Sequence, residues 1–472
     1  MTNKEIRRVH FIGIGGVGMS GIARVAHDQG MQVSGSDLRE SRYTKQLEEA
    51  GVRVFVGHSE ASISEVEPDV VVVSTAILEN NPELIAAKEQ NREIWHRAKM
   101  LAALGVGKKT LAVAGTHGKT TSSSMLASTL DAMGENPSFL IGGMVQAYAT
   151  NARSGSGSYY VVEADESDKS FTYLDPSAIL VTNIEADHLD HYSDLSEIFT
   201  KFEEFISSLP EDGVCLVCGE DQPLVELAKR TKVKFYRYGF GSDCDVSIEN
   251  YEQQGIASTF VLTLPDKEQV EVCIAQNPGR HNVLNAAGVL GLIWALGLPV
   301  KDAAQAMSTF KGVKRRFDVI GEVGGITVVD DYAHHPTEIE ATIKAATKLG
   351  YKRVYVVFQP HRYSRVGLFT EVLKEEFSRS FDDADAVVFM DVYPAGEMPI
   401  PGISGKTFMN VILDHPGHPS MVYLPRRVEL VPYLVDNLKE GDLVFTMGAG
   451  DVTAIGPQLI AALKDQQQRK DA

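Results

Sequence analysis

Short β-branched and aliphatic runs alternate with amphipathic stretches over roughly the first hundred residues of the chain. The runs RVHFIGI, MQVSGSD, VRVFVGH and DVVVVSTAI predict four strands, and the stretch NPELIAAKEQ predicts a helix after the fourth. Alternating strands and helices are typical of a parallel sheet with helices on its faces. We therefore predict a Rossmann-like α/β domain over residues 1–106.

The same alternation begins again twice. KTLAVAG predicts a strand and GKTTSSSMLASTLDAMG a helix at the start of a central P-loop-type α/β domain, residues 107–313. Patchier alternation over residues 245–275 predicts an antiparallel patch at the sheet's edge, and the helix in RHNVLNAAGVLGLIWALG is expected to end this unit. A third, Rossmann-like α/β domain is predicted over residues 314–472, with a frayed tail, KDQQQRKDA.

Composition and charge narrow the class of protein. A length of 472 residues suits three domains of about 150 residues each, and no apolar run reaches the roughly 18 residues that a bilayer span needs. The net charge of −18 argues against nucleic-acid binding, which relies on Lys and Arg. We expect a cytoplasmic protein without a membrane or nucleic-acid partner. Cys215 and Cys218 lie in a predicted strand, on opposite faces, which indicates core residues rather than a metal site.

The first predicted strand runs into a glycine-rich loop. Gly13, Gly15 and Gly18 fit the pattern G-x-G-x-x-G, and Asp37 follows at about the 20-residue offset of a ribose-binding acid. A helix N-terminus favours a pyrophosphate whatever is attached to it. UDP-sugars and NAD both carry a pyrophosphate, so this loop alone leaves both ligands open.

A second glycine loop, GTHGKT, spans residues 115–120 between a predicted strand and a predicted helix. It departs from the usual P-loop pattern because Val113 stands where the first glycine would fall. In such loops backbone N–H groups hold phosphate oxygens, the lysine reaches the β- and γ-phosphates, and the hydroxyl binds Mg²⁺. We predict that Lys119 and Thr120 have these roles.

Two acidic clusters end the strands that follow the second loop. Glu163 ends YYVVEADESD, and His188 lies in NIEADHLDH. Ligands of open α/β sheets bind beyond the carboxyl ends of the strands, and Mg²⁺ prefers oxygen ligands. We therefore expect Glu163 to supply a carboxylate beside the loop, and His188 to help to hold a second ion.

Six of these motifs, GTHGKTTS, EADESD, NIEADHLDH, GRHNVLNA, RRFD and DDYAHHPTE, together resemble the Mur ligases, the ATP-dependent amide-forming enzymes of peptidoglycan assembly. GIGGVGMSG and FQPHRYSR are similar to the family members that join L-alanine to UDP-N-acetylmuramate. The resemblance covers essentially the whole chain. It implies a UDP-substrate domain, an ATPase domain and a domain that closes over the amino acid, with ATP as cosubstrate and Mg²⁺ as cofactor. We expect a monomer or a weak homodimer.

The resemblance also implies roles for individual residues. The implied ATP-binding residues are Gly115, Thr116, His117, Gly118, Lys119, Thr120, Thr121, His281, Asn282, Asn285, Arg316 and Asp331. Those for the UDP-substrate are Gly13, Gly15, Gly16, Gly18, Met19, Asp37 and Ser74, and those for L-alanine are His335, Arg362 and Arg365. The implied metal ligands are Thr120, Glu163 and His188, and the implied catalytic residues are Lys119, His188, Arg316 and His335.

Several alternatives stay open at this point. Some relatives use a carbamoylated lysine after the histidine motif, and only Lys201 lies near the required distance. Either His188 or His335 could remove the proton of the amine. The alternative functions are a murein-peptide ligase, a folate-polyglutamate-type ligase, an NAD-dependent oxidoreductase and a non-catalytic ATP-driven switch.

Overall fold

The structure is a computed structural model that describes residues 6–167, 169–185, 192 and 194–471, the side chains of 470 and 471 excepted. The chain packs as two compact units. The first unit comprises Met1–Ile248, Leu262–Val270 and Ala286–Met307, and the second comprises Glu249–Val261, Glu271–Asn285 and Ser308–Ala472. Among the described residues, no helix combines the length and apolar character needed to cross a membrane.

A five-stranded sheet with the order β3-β2-β1-β4-β5 opens the first unit, and all its strand pairs are parallel. Its strands are β1 (Arg8–Ile12), β2 (Gln32–Asp37), β3 (Arg53–Val56), β4 (Val70–Val73) and β5 (Glu93–His96). Its helices are α1 (Val17–Asp28), α2 (Arg42–Glu49), α3 (Glu60–Val66), α4 (Pro82–Glu89) and α5 (Arg97–Ala103). The four predicted strands are present. The fifth, EIWH, is too short and too polar to be evident from its sequence.

One face of this sheet buries a polar cluster instead of apolar side chains alone. His10 on β1 and Glu83 on α4 are fully buried, with Nε2 of His10 3.7 Å from Oε1 of Glu83. Ser36 donates a hydrogen bond to Glu83, and Nδ1 of His58 lies 3.2 Å from the same carboxylate. Burial by itself raises the pKa of Glu83, but its interactions with His10 and Ser36 outweigh burial, so the pKa lies below its ordinary value. Glu83 is therefore ionised at neutral pH.

The central sheet has ten strands in the order β15-β14-β13-β12-β11-β10-β6-β9-β7-β8. Its strands are β6 (Lys109–Ala114), β7 (Ser138–Val145), β8 (Thr150–Arg153), β9 (Tyr159–Glu163), β10 (Ala178–Val181), β11 (Val214–Cys218), β12 (Phe235–Gly239), β13 (Val246–Gln254), β14 (Ala257–Thr263) and β15 (Gln269–Ile274). The helices of this region are α6 (Lys119–Ala132), α7 (Leu195–Ser207), α8 (Gln222–Arg230), α9 (Arg280–Ala295) and α10 (Val300–Met307).

Most sequence predictions for this sheet are confirmed. The edge strands β13 and β14 are neighbours joined by two residues, a connection that only antiparallel strands allow. Cys215 and Cys218 are buried free thiols on β11, as a core role requires. The expectation that the helix of RHNVLNAAG ends the unit is wrong, because α10 follows it and packs on α6.

Within the first unit, the helices of the five-stranded sheet are in direct contact with strands β7 to β9 of the central sheet. Asn151 on β8 donates to the carbonyl oxygen of Val17 at 3.3 Å, and the hydroxyl of Tyr160 donates to that of Leu101 at 3.2 Å. A Cβ atom built on Gly21 of α1 would lie 3.3 Å from the Cβ of Ala152. The absence of a side chain at this position therefore allows α1 to approach β8 closely.

The second unit contains a six-stranded sheet with the order β16-β17-β21-β18-β19-β20, in which only β16 runs antiparallel to its neighbour. Its strands are β16 (Asp318–Val323), β17 (Ile326–Asp331), β18 (Arg353–Phe358), β19 (Ala386–Phe389), β20 (Ser420–Tyr423) and β21 (Asp442–Met447). Its helices are α11 (Pro336–Thr347), α12 (Tyr363–Val372), α13 (Lys374–Arg379), α14 (Gly405–Leu413), α15 (Arg427–Asn437) and α16 (Ile455–Asp471).

The expectation of a frayed tail is wrong, because α16 runs through it to Asp471. Ile455, Leu459 and Leu463 are buried in the core of the six-stranded sheet and anchor the first half of this helix. The Gln, Lys and Arg residues that follow have good intrinsic helix propensity, so the helix continues beyond its packed face.

The buried carboxylate on α4 generates a stability prediction. Glu83→Ala should lower the free energy of unfolding at pH 7 by about 3 kcal/mol, because it leaves Ser36 and His58 without their acceptor and the buried His10 without the carboxylate that faces it. Since the pKa of Glu83 is lowered by folding, the difference should shrink as the pH falls below about 4.5. Urea unfolding at pH 7 and pH 4 measures both effects, with the exposed Glu89→Ala on the same helix as control. Equal losses in the two variants would contradict the prediction.

Candidate active site

Two helices of the first unit begin directly after a glycine turn and, in the described chain, receive no side-chain cap. These are α1, whose N-cap is Gly16, and α6, whose N-cap is Gly118. Other helices of this unit are capped by polar side chains, for example α2 by Ser41, α4 by Asn81 and α8 by Asp221. The N–H groups of a first helical turn have no acceptor within the helix. Both turns therefore offer backbone donors and positive dipole ends to an anion.

The first loop turns sharply over the end of β2. The N–H groups of Gly13 and Ile14 both donate to the carbonyl oxygen of Ser36, at 2.8 and 2.9 Å. The N–H of Gly15 donates to Oδ2 of Asp37 at 2.9 Å, and a Cβ on Gly15 would lie only 2.8 Å from that oxygen. The carboxylate of Asp37 thus holds the backbone of the loop at Gly15, and its predicted role in binding the UDP-substrate stays a prediction.

The other residues predicted for the UDP-substrate lie around the same turn. Gly16 and Gly18 are at the start of α1, and Ser74 follows the carboxyl end of β4. Met19 is buried, with 4% of its surface exposed. These assignments stay predictions.

The second loop is organised around Lys119. Its ammonium group donates to the carbonyl oxygens of Gly115 and Thr116, at 2.6 and 3.0 Å, and lies 2.8 Å from a carboxylate oxygen of Glu166. Burial by itself lowers the pKa of Lys119, but Glu166 and neighbouring acids outweigh burial and raise the pKa above its ordinary value. Lys119 is therefore a permanent cation at the N-terminus of α6. Glu166 is a partner that the motif analysis did not identify.

Thr120 and Glu163 lie side by side next to this lysine. The hydroxyl of Thr120 donates to Oε1 of Glu163 at 3.0 Å, and the N–H of Gly142 donates to Oε2 at 2.7 Å. Burial raises the pKa of Glu163, and Lys119 opposes that rise. A hydroxyl oxygen and a carboxylate at this distance are oxygen donors of the kind that Mg²⁺ prefers, so the residues present fit the predicted metal.

The end of β10 holds the loop from its other side. The N–H of His117 donates to Oδ1 of Asn183 at 2.8 Å, and the amide of Asn183 donates back to the carbonyl oxygen of His117 at 3.1 Å. The N–H of Thr116 donates to the carbonyl oxygen of Asn183 at 3.0 Å. Asn183 is the first residue of the motif NIEADHLDH, but no role was predicted for it from the sequence.

Two predictions concern the chain that follows Asn183, and the contacts described above test neither of them. His188, the predicted ligand of a second ion, lies outside the described residues. Lys201, the one candidate for a carbamoylated lysine, lies on α7 and donates to Glu204 at 2.6 Å.

In the second unit, the predicted nucleotide residues at the start of α9 form one cluster. Nε2 of His281 lies 3.0 Å from the amide nitrogen of Asn282, which also donates to the carbonyl oxygen of Pro278 at 3.0 Å. The amide of Asn285 lies 3.4 Å from Oδ1 of Asn282. Burial and the nearby Arg316 lower the pKa of His281 to about 4, so its ring is neutral at pH 7.

Arg316 and Asp331 are brought together in the same unit. Arg316 donates to Glu338 at 3.2 Å, and the carboxylate of Asp331 accepts the N–H groups of Phe317 and Ala333 at 2.7 and 2.8 Å. Burial raises the pKa of Asp331 to about 6, although Arg316 and the two N–H groups oppose that rise. The RRFD motif therefore positions a cation against a buried carboxyl group.

The three residues predicted for L-alanine follow the carboxyl ends of β17 and β18, with His335 after β17 and Arg362 and Arg365 after β18. His335 is buried at the N-cap of α11 with its ring 5.7 Å from that of Phe369, and the guanidinium of Arg365 lies 5.5 Å from the centre of the same ring. Arg362 is the N-cap of α12. Burial and the neighbouring cations, including Arg365 and Arg362, lower the pKa of His361 to about 3. This local positive field suits a carboxylate ligand. Phe369 was not predicted.

Comparison with known proteins identifies the family. Sequence profiles of three domains match in order: "Mur ligase family, catalytic domain" over residues 8–109, "Mur ligase middle domain" over 113–293, and "Mur ligase, glutamate ligase domain" over 315–450. The chain belongs to the Mur ligase family. The predicted enzyme class, a ligase, and the predicted three-domain α/β fold are confirmed.

Individual Mur ligases match along nearly the whole chain. A UDP-N-acetylmuramate–L-alanine ligase of Geotalea daltonii is 42% identical over 461 residues, which cover 98% of this chain and 99% of the relative. One from Myxococcus xanthus is 41% identical over 468 residues, covering 99% and 98%. The crystal structure of a UDP-N-acetylmuramate–alanine ligase from Thermotoga maritima is 27% identical with a TM-score of 0.79, covering 97% and 99%. A murein peptide ligase from Psychrobacter arcticus, also 27% identical, has a TM-score of 0.70 and covers 96% and 98%.

The buried histidine of α9 generates a pH prediction. Because the pKa of His281 is about 4 in the folded chain and near 6.5 when exposed, only the unfolded chain binds a proton between these values. His281 should therefore cost the folded chain about 2 kcal/mol of stability between pH 7 and pH 5. His281→Gln should lose less stability than the wild type over this interval, as measured by urea unfolding. The exposed His418→Gln in the same unit is the control, and an unchanged pH dependence in His281→Gln would refute the assignment.

Proposed function

We propose that this Mur ligase joins L-alanine to the carboxylate of UDP-N-acetylmuramate at the expense of ATP, in peptidoglycan precursor synthesis in the cytoplasm. The observation that carries the proposal is the pair of uncapped helix N-termini in the first unit, each after a glycine turn. Two such turns suit two phosphorylated ligands, a UDP-sugar and ATP. The names of relatives that are 41–43% identical over nearly the whole chain support the choice of substrates.

The three domains divide the substrates among themselves in this proposal. Residues 1–106 bind the UDP-substrate around Gly13–Gly18, and residues 107–313 bind ATP. Residues 314–472 form the domain that closes over the amino acid. We assign the phosphates of ATP to the loop of residues 115–121, and its nucleoside to His281, Asn282 and Asn285. The enzyme works as a monomer or a weak homodimer.

Mg²⁺ fits the donor set beside Lys119. Thr120 and Glu163 would hold the ion through their oxygen atoms, and His188 would hold a second one. The bound ion supplies neutralisation of the phosphate charges of ATP. Lys119 and the N–H groups of the first turn of α6 stabilise the remaining negative charge of the same phosphates.

The first chemical step activates the carboxylate of the muramate. One of its oxygens forms a bond to the γ-phosphorus of ATP, while the bond from that phosphorus to the β–γ bridging oxygen breaks and its electrons leave with ADP. The product is an acyl phosphate, whose phosphate is a far better leaving group than hydroxide. Two anions must approach each other in this step. Lys119, held in place by Gly115 and Thr116, offsets their repulsion.

In the second step the amine of L-alanine attacks the acyl carbon. A tetrahedral intermediate forms and then expels inorganic phosphate. The product is the amide. The amine must lose a proton, and His188 or His335 is the base. Arg362 and Arg365 hold the carboxylate of the amino acid in the positive field around His361.

Removal of the lysine tests the ATP site. Lys119→Ala should lower kcat by several orders of magnitude, because it removes the cation that stabilises phosphoryl transfer. UDP-N-acetylmuramate binding, measured by calorimetry, should stay within about threefold of the wild type, since α1 is untouched. Lys109→Ala, at the exposed opposite end of β6, is the matched control. Near-normal turnover of Lys119→Ala would refute the ATP site.

Substrate dependence and isotope transfer test the reaction. Continuous release of ADP over many turnovers should require both UDP-N-acetylmuramate and L-alanine, and a tripeptide should not replace L-alanine. ¹⁸O placed in the muramate carboxylate should appear in the released phosphate, because one of its oxygens becomes the bridging atom. Turnover supported by the tripeptide alone would indicate a murein-peptide ligase, and phosphate without label would eliminate the acyl phosphate.

A further inference from the structure

Arg97 lies between the two glycine loops of the first unit. It is the first residue of α5 and follows β5 at the carboxyl edge of the five-stranded sheet. Its Nη2 atom donates to Oδ2 of Asp165 at 3.1 Å. A Cβ atom built on Gly18 would lie 3.5 Å from its Nη1 atom. One guanidinium therefore reaches the segment beside Lys119 and the first turn of α1.

Asp165 anchors this guanidinium to the ATP side. It lies between Glu163 and Glu166, the carboxylates that contact Thr120 and Lys119. The contact between Nη2 of Arg97 and Oδ2 of Asp165, at 3.1 Å, fixes one end of the guanidinium beside these carboxylates.

The Nη1 edge of Arg97 lies where a phosphate would bind. Gly18 belongs to the first turn of α1, whose N–H groups have no acceptor within the helix. An anion bound to that turn comes within reach of Nη1. A guanidinium carries five donors in a planar fork, so it can hold a carboxylate and a phosphate at once.

The ion pair is one of several contacts between the two domains. Asn151 donates to Val17 and Tyr160 donates to Leu101 across the same boundary. The side chain of Arg97 keeps 21% of its surface exposed, so a ligand from solvent can reach it.

We propose that Arg97 binds the diphosphate of the UDP-substrate and, anchored by Asp165, sets the position of that diphosphate relative to the ATP loop. This inference rests on the proposed function, since it assumes a UDP-linked ligand at the first glycine loop. Arg97 is a binding and positioning residue in this scheme, and takes no part in bond making.

Binding measurements on the full chain test the assignment. Arg97→Ala should weaken UDP, measured by calorimetry without ATP, at least tenfold, because a charge-assisted contact to phosphate is lost. Uridine, measured by ligand-detected NMR, should bind Arg97→Ala and wild type equally. Arg97→Lys should lie between the two for UDP, since it keeps the charge and loses the fork. Arg53→Ala, an exposed arginine at the amino end of β3, is the matched control.

A double variant separates ligand binding from neutralisation of Asp165. Arg97→Ala with Asp165→Asn removes both charges, so it repairs any damage caused by an unpaired Asp165. If Arg97 contacts the diphosphate, this variant should still bind UDP at least tenfold more weakly than the wild type does. Recovery of wild-type UDP affinity in the double variant, or equal weakening of uridine and UDP in Arg97→Ala, would overturn the inference. Wild-type chain that fails to bind UDP would instead overturn the proposed function itself.

Discussion

The backbone N–H groups at the start of α1 and α6 impose the constraint on which this architecture depends. A first helical turn leaves its donors without acceptors, and most helices of the first unit satisfy some of them with a Ser, Asn or Asp side chain. These two helices follow Gly16 and Gly118 instead, so their donors are left to solvent or to an anion. The parallel sheets place each turn at a carboxyl edge, where neighbouring strand ends can supply the remaining groups of a phosphate site.

Three carboxylates, at the last residue of β9 and directly after it, add charge to the site at the start of α6. Glu163 accepts from Thr120 and Gly142, Asp165 accepts from Arg97, and Glu166 pairs with Lys119. Burial raises the pKa of Glu163, whereas the pKa of Asp165 falls because cations lie on both sides of it. The pKa values of Glu163 and Asp165 thus shift in opposite directions because the two carboxylates have different partners, and not because one is Glu and the other Asp.

The order of elements and the two glycine loops were predictable from the chain because both are local features. Strand alternation, G-x-G-x-x-G and GTHGKT each need only neighbouring residues, and the fold class they imply is confirmed. Short or polar strands such as β5 have too little hydrophobic pattern to be predicted from the sequence. Partners such as Arg97 and Asp165 are separated by 68 residues, and only the packing of two domains brings them together. Asn183 opens the motif NIEADHLDH, but its contact with the second loop depends on β10 lying beside β6, which the motif alone does not show. The site roles that rest on resemblance alone stay predictions.

The link between α5 and the strand end after β9 changes how genetic data on this protein should be read. A random substitution near residue 97 reaches, through Asp165, the same short segment that holds Lys119. Substitutions that alter nucleotide use can therefore lie, along the sequence, in the domain that does not bind the nucleotide. Such substitutions should be grouped by the strand ends that they contact rather than by the domain in which they lie.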